Sequence, residues 1–128
     1  MKYYISKKIN SDFDGAILAI TESLKKEGFG VLTEIKMHEK LKDKLNVDFR
    51  KYTILGACNP AFAYKALQHE DKIGTMLPCS VIVQEWGENE IEVAVVDPIA
   101  SMMGVENPNL AGIAGEVKDK LERAITSL

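Results

Sequence analysis

The sequence predicts an α+β domain, with five strands, two long amphipathic helices and short helical connections. Three observations carry this. Five short segments rich in apolar or β-branched residues are bounded by turn signals. Two longer stretches, within 11–28 and 107–128, switch to helical spacing. Asn-Pro or Asp-Pro pairs recur at 59–60, 97–98 and 107–108, where a capping residue followed by proline opens a helix.

Taken in order, Tyr3, Ile5 and Ile9 alternate along a first strand, with Lys7 as an interruption on the same face. In "NSDFDGAILAITESLKKEGFG" the residues Phe13, Ala16, Ile17, Ile20 and Leu24 form one helical stripe. Ser11 or Asp12 is placed to cap this helix, and Lys25 and Lys26 suit the negative end of its dipole. Gly28 stands where a left-handed residue ends a helix. "FGVLTEIKM" is a second strand, with Val31, Thr33, Ile35 and Met37 opposite Leu32, Glu34 and Lys36. A short helix over 38–45 follows, seated by Met37, Leu41 and Leu45.

"FRKYTILGAC" makes a third strand, and its charge-free end places it centrally in the sheet. Asn59 and Pro60 then open a helix whose Ala63, Ala66 and Leu67 face inward. "CSVIVQEW" and "EIEVAVVD" flank "GEN" and read as a hairpin of strands four and five. Asp97-Pro98 starts a short turn ending near Gly104. Asn107-Pro108 starts the last helix, whose apolar face runs from Leu110 through Val117 and Leu121 to Leu128. The order is β-α-β-(α)-β-α-β-β-α over a single domain, 1–128.

At 46% apolar and 27% charged residues, the 128-residue chain has the make-up of a soluble domain with one real core. Net charge is −3 and only Arg50 and Arg123 are arginines, which argues against a nucleic-acid partner. The densest basic stretch, "KMHEKLKDKL", interleaves lysine with acid and reads as the wet side of a helix. No apolar run reaches the ~18–20 residues of a membrane span, and "MKYYISKKINSDF" lacks a signal-peptide pattern. Two cysteines make no disulfide framework, so the cytoplasm, with both thiols reduced, is the expected compartment.

The chemistry gathers where strands end. If the third strand pairs antiparallel with the fourth, Cys58, Cys79 and Asp97 line one rim of the sheet, beside the helix starts at Asn59-Pro60 and Asp97-Pro98. Amides at a helix start favour a thiolate or a bound anion. Four readings follow. The rim binds a small ligand; Cys58 attacks and Cys79 resolves in thiol chemistry, as an enzyme or redox sensor; Cys58, Cys79 and Asp97, with His69, form a weak candidate metal set; or the cysteines simply pack as small hydrophobes in a homodimeric protein-interaction module. Close-spaced metal ligands are missing, so no metal or other cofactor is assigned. Glu34 alternates outward on the second strand as an exposed residue and, with Thr33 and Lys36 beside it, is also a candidate pocket acid. His38 opens a solvated helix, Trp86 is a surface aromatic or a contact between copies, and Met102-Met103 offers packing or an adaptable interface.

"GFGVLTEI", "LNVDFRKYTILGACNPAFAYKAL", "IGTMLPCSVIV" and "VAVVDP", in that order, resemble the prokaryotic family known as domain of unknown function 302 over nearly the whole chain. The resemblance implies a TATA-binding-protein-type α+β fold: a curved antiparallel sheet of about five strands with packed helices, β-α-β(4)-α with extra short helices, usually as a homodimer. The family's characteristic positions fall here on Glu34, Cys58, Asn59, Pro60, Cys79, Asp97 and Pro98. The resemblance strengthens the case for a functional rim, with Glu34, Cys58, Asn59, Cys79 and Asp97 as the candidate ligand-binding residues, and does not choose between ligand, redox and metal chemistry.

Overall fold

The computed structural model describes residues 2–128. Its strands are β1 (Tyr4–Ile9), β2 (Gly30–Lys36), β3 (Tyr52–Cys58), β4 (Cys79–Gly87) and β5 (Glu90–Val96). Its helices are α1 (Phe13–Lys26), α2 (Met37–Leu45), α3 (Pro60–His69), α4 (Pro98–Ser101) and α5 (Pro108–Thr126). A 3₁₀ segment, Asp71–Met76, connects α3 to β4.

The strands form one open sheet in the order β1-β5-β4-β3-β2, antiparallel at every pairing. The charge-free β3 is internal, as its composition predicts. One face carries Ile5 and Ile9, Ile91, Val93 and Val95, Val81 and Val83, and Leu55 and Ala57. Phe13, Ala16, Ile20 and Leu24 of α1, with Val117, Leu121, Ala124 and Ile125 of α5, pack on it. A smaller cluster of Ala66, Ile73 and Leu110 closes the space beneath α3 and the 3₁₀ segment. The other sheet face, bearing Tyr4, Tyr52, Ile82, Gln84 and Glu92, is an open trough of about 410 Å³.

Local signals explain most boundaries. Asp12 caps α1 by accepting from the Gly15 N–H at 3.0 Å. The helix ends with Gly28 at φ +85, where Phe29 N–H donates to Leu24 O at 2.9 Å and Gly28 N–H to Lys25 O at 3.0 Å. Asn107 caps α5 through Asn109 N–H at 3.1 Å.

Several expectations need correction. The third strand starts at Tyr52, and residues 46–51 run irregularly before it. Helix α2 buries no residue, and Leu45 is exposed. Leu67 is also exposed, since only Ala66 of α3 turns fully inward. Asn59 stands at the N-cap of α3 but makes no capping bond; its Nδ2 donates instead to Glu27 O at 3.4 Å, tying β3's exit to the end of α1. Lys7 is no defect in β1: its ammonium donates to Thr126 O, the last carbonyl of α5, and to Leu128 O two residues beyond the helix.

β2 departs most from simple alternation. A register shift between Val31 and Thr33 leaves Leu32 as the extra residue. Val31 opposes Ala57, while beyond the bulge Glu34 opposes Leu55 and Lys36 opposes Thr53. Opposed residues share a face, so Glu34 and Lys36 lie on the helix side together with Val31. Thr33 and Ile35 take the open side.

Candidate functional site

The pairing on which the sequence-derived rim depends is present. β3 runs antiparallel to β4 with Ala57 opposite Cys79, so Cys58 stands one residue beyond Cys79's partner. β4 pairs with β5 with Val81 opposite Val95, and continuing that register sets Cys79 across from Asp97. Cys58, Cys79 and Asp97 therefore occupy one edge of the sheet. Both thiols are free.

Between this edge and the helices lies a crevice whose walls include Phe29, Cys58, Phe62, Cys79, Met102 and Ile113. Five separate segments supply them. Its volume is about 30 Å³ and its lining is almost wholly apolar. Cys79 is buried and Cys58 half-buried. Burial pushes the Cys79 thiol up from 9.0 to about 11, with a further push from nearby Cys58. At neutral pH Cys79 is a protonated, packed thiol.

Asp97 shares the rim but faces elsewhere. Its Oδ1 accepts from Ile99 N–H at 2.9 Å and Ala100 N–H at 3.4 Å, capping the four-residue α4. Its Oδ2 meets the Lys118 ammonium at 3.0 Å. Burial pushes the carboxyl up, but the Lys118 bond and the two amides outweigh it and hold it below its ordinary value. The same pair raises Lys118. Asp97 is thus an occupied anchor between β5 and α5.

The remaining candidates are not at this edge. Glu34 is exposed on β2, and its partner Leu55 lies three residues from Cys58, about 10 Å along the strand. It lines a separate groove with Phe13, His38, Lys51 and Thr53. His69 is exposed at the end of α3, where its carbonyl accepts from Asn107 Nδ2 at 2.7 Å. The weak metal set of Cys58, Cys79, Asp97 and His69 is therefore not brought together. No group of three or more His, Cys, Asp or Glu side chains among the described residues is placed to hold a metal ion.

Sequence reasoning missed Phe62, Met102 and Ile113 as crevice walls, because the rotation of each helix about its axis is set by tertiary packing. It also misread His38, which is half-buried with its ring edge-on to Phe13, 6.0 Å between centroids. Its Nδ1 accepts from Tyr52 N–H at 3.0 Å. Among the described residues no helix is long and apolar enough to cross a membrane.

An open antiparallel sheet covered by helices on one face, with a narrow thiol-lined crevice at one rim, defines an α+β domain of a distinct kind. The model of the family described as "Domain of unknown function DUF302" matches residues 5–128. The chain belongs to the DUF302 family. It is similar to the crystal structure of an uncharacterized conserved protein DUF302 from Bacillus stearothermophilus, at 28% identity and a TM-score of 0.90, over 98% of each chain. No curated protein matches it in sequence.

Proposed function

We propose that residues 1–128 act as one binding domain, taking up a small apolar ligand at the cysteine rim. The observation that carries this reading is the crevice itself, in which the half-buried Cys58 and the buried Cys79 share one apolar opening with Phe62, Met102 and Ile113. Its volume of about 30 Å³ admits a single small group, against the ~300 Å³ and upward of a full ligand pocket. The ligand therefore enters by displacing a wall. Met102, unbranched and half-buried, is the wall suited to move. Asn59 supports the site by fixing the β3–α3 joint, and Asp97 by anchoring α5 beside it. Thiol chemistry between Cys58 and Cys79 is the weaker reading, because a Cys79 thiol at about 11 supplies almost no thiolate at neutral pH.

The test is methyl NMR of the full chain titrated with benzene, indole and cyclohexanol, together with iodoacetamide labelling of Cys58. Shifts of Met102 and Ile113 accompanied by slower labelling of Cys58 are expected. Unmoved methyls and an unchanged labelling rate overturn the reading.

The domain works as a homodimer in the cytoplasm on this reading. The exposed aromatics Tyr3 and Trp86 beside the open sheet trough support that face as the contact between copies. A sheet of TATA-binding-protein type brings no DNA role, since function belongs to sites and not to folds. Sedimentation velocity over a range of protein concentrations tests the dimer; a monomer throughout overturns it.

A further inference from the structure

We propose that the groove between α1, α2 and β2 is a second binding site, for a small zwitterion of the α-amino-acid class. It lies away from the cysteine rim and does not rest on the reading given for that rim. Its volume is about 340 Å³, enough for a molecule of this size.

Its floor is Thr53, a fully buried residue whose Oγ1 has no hydrogen-bond partner among the described residues. Leaving a buried hydroxyl unpaired costs ~1–3 kcal/mol, and a valine of the same shape would avoid that cost. Thr53 sits between Lys36 on β2 and Val83 on β4. Lys36 is drawn off by Glu39 in a surface pair of 3.9 Å, exposed and therefore weak.

Around this floor stand complementary groups without partners. Glu34 and Lys51 both line the groove, and neither belongs to an ion pair among the described residues. The Lys51 ammonium lies 5.9 Å from the Phe13 ring centre, over the groove's apolar wall. His38 Nδ1 stands 3.0 Å from Tyr52 N and 3.1 Å from Tyr52 O, so the Tyr52 backbone holds the ring in place at the groove's edge. Of the groove's three carboxylates, Asp14, Glu34 and Glu39, and two ammoniums, Lys36 and Lys51, the Lys36–Glu39 pair is engaged, which leaves Glu34 or Asp14 for an ammonium, Lys51 for a carboxylate, an aromatic face for a short side chain, and a buried hydroxyl.

The experiment titrates the full chain with the free L-amino acids, and with acetate and methylamine as half-ligands, following amide NMR signals and heat. At least one amino acid is expected to shift the Thr53 and His38 amides while leaving Met102 and Ile113 unmoved. Glu34→Gln and Thr53→Val should each weaken that binding about tenfold or more, the loss expected for one hydrogen bond to a charged group. Thr53→Val should at the same time raise the unfolding midpoint of the free protein. The proposal is overturned if no amino acid moves those amides at ~1 mM, the weak end of specific affinity. It is also overturned if binding survives both substitutions, or if acetate binds as tightly as the zwitterion.

Discussion

The Lys118 ammonium stands 3.0 Å from the Asp97 carboxylate, and this ion pair fastens the end of β5 to α5. It has a signature in acid. A carboxyl held below its ordinary value of 3.8 contributes stability that is fully present above that value and lost as pH falls through the lower, folded one. The urea midpoint is expected to stay level above about pH 5 and to fall below about pH 4. Asp97→Asn removes the charge but keeps a capping oxygen. It should cost about 1–2 kcal/mol near neutrality and flatten the acid limb. An unchanged acid limb in the variant would show that the pair does not hold the fold.

Cys79 should act at the other end of the scale. Its folded value of about 11 lies above the ordinary 9.0, so its contribution is fully present below pH 9.0 and lost as pH rises toward 11. Two units correspond to roughly 2–3 kcal/mol. Denaturation of wild type and Cys79→Ala between these limits is the measurement, and the variant should lose stability less steeply. In iodoacetamide at neutral pH, the native protein should take one label, at Cys58, and the unfolded protein two.

Gly56 is required by its surroundings and not by its backbone angles. A Cβ there would meet Thr33 Oγ1 at 2.3 Å and the Pro78 ring at 2.8 Å, so β2, β3 and the entry to β4 close on each other over a hydrogen atom. The Thr33 hydroxyl can rotate away, but the proline ring cannot. Gly56→Ala should destabilise by ~1–3 kcal/mol in urea denaturation. Gly30, at the start of the neighbouring β2, is different, for a Cβ there meets nothing within 4 Å. Gly30→Ala should stay within about 0.5 kcal/mol, as surface substitutions do. Equal costs for the two would refute the packing account.

What the sequence made legible, and what it hid, divides along sequence distance. The caps at Asp12, Asp97 and Asn107 act on residues two or three positions away, and a local pattern announces them. Asn59 has the same cap-proline signature, yet its side chain serves Glu27, 32 residues upstream. Lys7 looks like an error in an apolar face because the helix end it satisfies lies 119 residues on. The bulge at Leu32 carries no mark within its own strand, so strict alternation sets Val31 and Glu34 on opposite faces, whereas both lie on the helix side, Glu34 exposed there. The 3₁₀ segment at 71–76 is too short to show a period. For the site, strand order brought Cys58, Cys79 and Asp97 to one rim correctly. The crevice walls, and Asp97's engagement by Lys118, depend on how α3 and α5 rotate, which no local spacing encodes.

Trp86 is the one tryptophan, and it reports on the open sheet face. The Arg50 guanidinium lies 4.1 Å from its ring centre and 4.4 Å from that of Phe49. Arg50 Nε also donates to Gln84 Oε1 at 2.9 Å, and Gln84 Nε2 donates to Glu92 Oε1 at 3.0 Å. The same Glu92 oxygen accepts from the Trp86 indole N–H at 3.0 Å, so the four side chains close a ring. A half-exposed indole with its N–H already bound is partly shielded from water. Arg50→Ala strips the stacked cation and the link to Gln84, and should shift Trp86 emission to the red while costing about 1 kcal/mol. Glu92→Gln keeps the shape but weakens the acceptor of two donors, and should move the emission in the same direction. In a double-mutant cycle the two losses should be less than additive, because each breaks the same ring. Strict additivity, with emission unmoved, would mean the four contacts form no unit.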